Sequence, residues 1–90
     1  VHERHLAEGL VRTLEAAARS QGACRVVAAR VRLGPLAHCS PDHLRSHFRE
    51  AARGTAAEGC RLEVREAGDL EEWRWQDASG AVVEEVELEV

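Results

Sequence analysis

Ninety residues, 44% hydrophobic and 31% charged, predict one small globular domain over residues 1–90, of a size that buries only about 60 to 65% of its unfolded surface and leaves no room for a separate catalytic domain. Twelve arginines, no lysine and sixteen carboxylates are dispersed along the chain for a formal charge of −4, which speaks against a nucleic-acid partner. No apolar run is long enough to cross a bilayer or to act as a signal-peptide core, so no membrane partner and a cytoplasmic location are expected.

In chain order, Leu6, Leu10 and Leu14 fall at i, i+4 and i+8, with Val11, Ala17 and Ala18 widening the stripe. Glu8/Arg12 and Glu15/Arg19 form i,i+4 pairs on the wet side, so a helix is predicted from about Glu3 to Ser20, stopped by Gln21-Gly22. Arg25 to Leu33 alternates as a strand with Val27, Ala29, Val31 and Leu33 on the covered face and Arg30 and Arg32 on the other. Gly34-Pro35 breaks it, and Ser40-Pro41-Asp42 has the chemistry of a helix start: an N-cap hydroxyl, a proline at the first position and an acid in the first turn. This second helix is expected to reach about Arg53, with Leu44, Phe48, Ala51 and Ala52 inside and Gly54 as its stop.

Cys60, Leu62 and Val64 alternate with Arg61, Glu63 and Arg65 as a second strand. Trp73 and Trp75 share one face of a possible short strand, Asp77-Ala78-Ser79-Gly80 is a turn signal, and Val82 to Val90 closes with Val86, Leu88 and Val90 alternating against Glu85, Glu87 and Glu89. The fold expected is α/β (α+β), a two-layer sandwich of two helices on one side of a small three- to four-stranded sheet.

The most pointed chemistry is at the tip, Val1-His2-Glu3. A terminal amine, an imidazole and deprotonated amide nitrogens make a compact nitrogen-rich set that suits the square-planar or tetragonal preference of Ni(II) or Cu(II). His5 lies one turn on and could add an imidazole. His43 and His47 have the i,i+4 spacing that puts two imidazoles on one metal, but read as a solvated helix face; His38 and Cys39 sit in a loop that nothing fixes. Cys24, Cys39 and Cys60 are odd in number, far apart and without a Cys-x-x-Cys pair, so they read as small hydrophobes and no zinc is expected. No nucleophile-and-base set, phosphate loop or paired carboxylates are present, which argues against an enzyme.

Taken together, His2-Glu3, Leu6-Ala7, the strand ending Val31-Arg32-Leu33-Gly34-Pro35-Leu36, the helix Pro41-Asp42-x-Leu44-x-x-x-Phe48 and Gly54-Thr55-x-x-Glu58-Gly59-x-x-Leu62-x-Val64 resemble the hydrogenase maturation nickel chaperones of the HypA family over roughly the first two thirds of the chain. The resemblance implies a metallochaperone in which the amine of Val1 (Met in the family), His2 and the Glu3 amide carry Ni(II). It implies delivery during [NiFe]-hydrogenase maturation, with a HypB-like GTPase and the hydrogenase large subunit as partners. Beyond Glu66 the family's zinc module, with its two Cys-x-x-Cys pairs, has no counterpart, and a short hairpin or loop over residues 69–81 is expected instead, with Trp73 and Trp75 as replacement core or as a partner patch. A second reading, a degenerate adaptor that keeps the scaffold but no longer binds metal, stays open.

Overall fold

The computed structural model describes residues 2–37, 39–66 and 80–90, with residues 2 and 3 described by backbone alone. Five elements follow one another: α1 (His2–Ser20), β1 (Arg25–Leu33), α2 (Pro41–Ala51), β2 (Arg61–Glu66) and β3 (Ala81–Glu89). α1 forms because its apolar residues keep to one stripe, and Ala7, Leu10, Val11, Leu14 and Ala18 are all buried. It stops at Gly22, whose φ of 67° is open to glycine at no steric cost. The stop is a Schellman turn, in which the Ala23 N–H donates to the Ala18 carbonyl at 2.8 Å and the Gly22 N–H to the Arg19 carbonyl at 3.2 Å.

The sheet has the order β2-β1-β3, so β1 is its centre. β2 runs parallel to it, from Ala28↔Arg61 to Leu33↔Glu66, and β3 runs antiparallel, from Arg25↔Glu89 to Leu33↔Ala81. A parallel neighbour cannot be reached by a hairpin, and α2 is the crossover that brings the chain back. Ser40 caps α2 by accepting from the His43 N–H at 3.2 Å, Pro41 occupies its first turn, and Leu44, Phe48 and Ala52 face the core. The helix ends at Ala51 with Ala52 as its cap, slightly before the Arg53 expected, because a run of turns starts there.

Those turns account for the Gly54-Thr55-x-x-Glu58-Gly59 motif. Thr55 Oγ1 donates to the Ala52 carbonyl at 2.7 Å and accepts from the Ala57 N–H at 3.1 Å, while the Glu58 carboxylate accepts from the Gly54 N–H at 3.3 Å. The Ala56 carbonyl accepts from the Val26 N–H at 2.9 Å, so the motif is a connector pinned to the start of β1.

Two β-bulges correct the expected strand faces. Val26 pairs with Leu88 and Ala28 with Glu87, which leaves Val27 as the extra residue on β1. A bulge inverts the in–out parity across it, so Val26 is fully buried and Val27 only half-buried, while Ala29, Val31 and Leu33 face the core as expected. On β3 the register steps from Arg30↔Glu85 to Val31↔Val83, making Glu84 the extra residue; Val86 and Leu88 on one side of it, and Ala81 and Val83 on the other, pack against the core. Val90 lies beyond β3 and is 93% exposed, so it is not an inward residue of the closing strand.

Both helices cover one face of the sheet. The other face carries charge, with Arg30 Nε 3.3 Å from Glu63 and Nη1 3.1 Å from Glu85, and with Glu84 shared between Arg32 at 3.5 Å and Arg65 at 3.4 Å. Such partly exposed pairs are worth only about 0–1 kcal/mol each, and their main effect is to balance charge on a sheet face that no helix covers among the described residues. The architecture is therefore the expected α+β sandwich, with three strands among the described residues. Trp73, Trp75 and the hairpin or loop predicted over 69–81 lie, except for Gly80 and Ala81, outside the described residues.

Leu14 is fully buried between the layers. Leu14→Ala is expected to cost about 2–5 kcal/mol, read as a large fall in the urea midpoint, whereas Ser46→Ala on the wet face of α2 should stay within about 0.5 kcal/mol of the parent.

Candidate metal-binding end of the sandwich

The topology sorts the chain's donor groups between two ends. α1 passes into β1 through a four-residue turn and α2 is a crossover between parallel strands, so both helices run against β1 and both begin at the end where β1 finishes at Leu33. The Gly34 N–H donates to the Gly80 carbonyl at 2.8 Å at this end, and a shallow groove there is lined by His5, Leu6, Gly9 and Leu10 of α1 together with Gly80, Ala81 and Val83. His5 is exposed on its rim; Cys39, just before α2, is half-buried against the core.

α1 starts at His2. The first four amides of a helix have no intrahelical acceptor, so the N–H groups of His2 and Glu3 are not tied into the helix ladder. The partial positive charge of a helix N-terminus also favours loss of an amide proton while it opposes a bare cation, each by a few tenths to about 1 kcal/mol. Val1 and His38 lie outside the described residues.

Cys24 and Cys60 sit at the opposite end, where β1 and β2 start; Cys24 Sγ donates to the Glu89 carbonyl at 3.3 Å. Burial pushes the Cys60 thiol above its ordinary pKa, with the neighbouring Arg61 guanidinium opposing the shift. Along β1 the two ends are roughly 25–30 Å apart, so Cys39 cannot join Cys24 and Cys60 on one ion. Among the described residues no three His, Cys, Asp or Glu side chains are grouped to hold a metal ion, and no helix is long and apolar enough to cross a membrane.

The family profile described as hydrogenase/urease nickel incorporation, metallochaperone, hypA matches residues 1–70. The chain belongs to the HypA family. The hydrogenase maturation factor HypA of Azotobacter vinelandii is 44% identical over 64 residues, which are 71% of this chain and 57% of that protein, and HypA of Acidithiobacillus ferrooxidans is 41% identical over the same shares. The chain thus spans a little over half the length of these HypA relatives. The solution structure of the Ni metallochaperone HypA from Helicobacter pylori superposes with a TM-score of 0.64 over 98% of this chain and 93% of that one; at 14% identity this is a likeness of fold.

The thiols offer a test of the two-ended arrangement. Cys24, exposed at the start of β1, is expected to react with a maleimide near neutral pH before Cys60, whose raised pKa keeps it a neutral thiol longer as pH rises. Peptide mass spectrometry over a time course reads the order, and Cys60 labelled first would contradict the burial found here.

Proposed function

We propose that this chain is a nickel-binding accessory protein that holds Ni(II) at its tip and delivers it during [NiFe]-hydrogenase maturation. The match to the HypA profile from residue 1 to residue 70 carries the reading, because it takes in the tip together with the scaffold that presents it. The proposed donors are the Val1 amine, the His2 imidazole and the Glu3 backbone amide. The start of α1 supports them, since ligation through these amides breaks no helix hydrogen bond. Nickel is cargo here, and a short open peptide site suits cargo, because an incoming ligand can replace its nitrogen donors one at a time. No step of covalent catalysis is required of the chain.

By the same reading, residues 1–90 act as one nickel-binding unit in the cytoplasm, and the partners are a HypB-like GTPase and the hydrogenase large subunit. Residues 69–81 stand where the family carries its zinc module, and the separation of Cys39 from Cys24 and Cys60 supports a zinc-free protein.

Calorimetry with a chain beginning at Val1 tests the tip. His2→Ala is expected to weaken Ni(II) binding by roughly 100-fold, about 2.7 kcal/mol, with little change in thermal midpoint. A peptide extension ahead of Val1 should act similarly by converting the amine to an amide. Unchanged nickel affinity in both would reject the site, whereas no nickel binding by the parent chain would favour the adaptor reading. Elemental analysis of the purified protein is expected to find no stoichiometric zinc; zinc lost on replacing the cysteines would overturn that part.

A further inference from the structure

α2 carries a second set of nitrogen donors that the tip does not use. At about 100° per residue, His43, His47 and Glu50 fall within roughly 60° of one another on the helix, one above the next. The buried residues Leu44 and Phe48 define the inner side of α2, and Arg45 and Arg49 lie roughly 100° or more round the helix from the histidine stripe. Arg45 is also engaged, its guanidinium hydrogen-bonded to the Asp42 carboxylate. The His43 backbone N–H is held by the Ser40 cap, which fixes the first turn in helical geometry at the point where the pair begins.

The imidazoles themselves are not engaged. His43 is exposed and His47 partly so, and among the described residues neither ring makes a hydrogen bond or an ion pair. Neither ring is therefore committed to a structural role, and each can turn its nitrogens toward a shared ion without breaking an existing contact. Two histidines at i and i+4 on one helix face can ligate a single borderline divalent ion, for which neutral imidazole is a preferred donor. Within α2 the two arginines lie off this stripe, and a carboxylate stands one turn further on at Glu50.

We propose that His43 and His47 form a second, weaker binding site for a divalent transition-metal ion on the outer face of α2, with the two imidazoles as protein ligands and water completing the coordination. The two-ligand description agrees with the absence of any three-residue donor group among the described residues. A site of this kind clips one turn to the next, so metal binding stabilises the helix it sits on. It is independent of the tip, and it exchanges ions readily because most of its coordination sphere is solvent.

The experiment uses the full chain carrying both His2→Ala and a peptide extension ahead of Val1, so that the tip is disabled in every arm. Ni(II) is titrated by calorimetry and by NMR of the isotopically labelled imidazoles. The expected result is one weak equivalent of Ni(II), with the His43 and His47 ring signals broadening together and ahead of those of His5 and His38. His43→Gln and His47→Gln should each weaken binding by about tenfold or more, about 1.4 kcal/mol. Both positions are solvent-accessible, and circular dichroism verifies that the variants remain folded. Broadening confined to other histidines, or an affinity unchanged in both variants, would overturn the proposal. Because the tip is inactive throughout, neither outcome bears on whether the tip carries nickel.

Discussion

Double pairing of β1 is the constraint on which the rest of the structure depends. One nine-residue strand supplies backbone partners to β2 on one side and β3 on the other, and its inward side chains, Val26, Ala29, Val31 and Leu33, form the floor on which both helices rest. Parallel pairing on one side forces a crossover and hence α2; antiparallel pairing on the other lets the distant closing segment return as β3. The strand cannot satisfy both neighbours and keep a simple alternation over its whole length. The bulges at Val27 and Glu84 let it do both, because each absorbs one residue and restores an apolar inner face beyond it.

That arrangement also separates chemistries. The helix starts, with their free amides and the exposed His5, share the end at Leu33 and Gly80, whereas the thiols Cys24 and Cys60 share the other. Divalent nickel has high affinity for thiolates as well as for nitrogen. Burial raises the pKa of the Cys60 thiol, and the Cys24 thiol donates a hydrogen bond to the Glu89 carbonyl at the same far end. The proposed nickel site at the tip therefore lies at the other end of the sheet from these two sulfurs, and the thiol at its own end, Cys39, is half-buried against the core.

Much of this was legible in the residues, for identifiable reasons. α1 and α2 announce themselves through period-3.6 apolar stripes and through Ser40-Pro41-Asp42 and Gly22, local signals that local structure obeys. β1 was readable to its ends, Arg25 and Leu33, because turn residues bracket an apolar run. Its bulge was not, since a bulge is a property of two paired strands, and nothing in Arg25-Val26-Val27-Ala28 says which valine the partner will skip. The Gly54 to Glu58 motif could be matched by type but not understood, because its hydrogen bonds close on Ala52, Ala57 and, through Ala56, on Val26. The proposal for the tip rests on resemblance more than on physics, as three residues at a chain start carry little signal of their own.

The directions of the first and last elements have a practical consequence. β3 is antiparallel to β1, and Glu89 pairs with Arg25, so Val90 emerges beside the beginning of β1, while α1 starts near its finish. The length of the sandwich, roughly 25–30 Å, therefore lies between residue 90 and the helix start at His2. A label, a surface anchor or a fused protein attached after Val90 would point away from the histidine-bearing helix starts and leave them facing solution. Immobilisation through that position presents the opposite end of the molecule to whatever flows past.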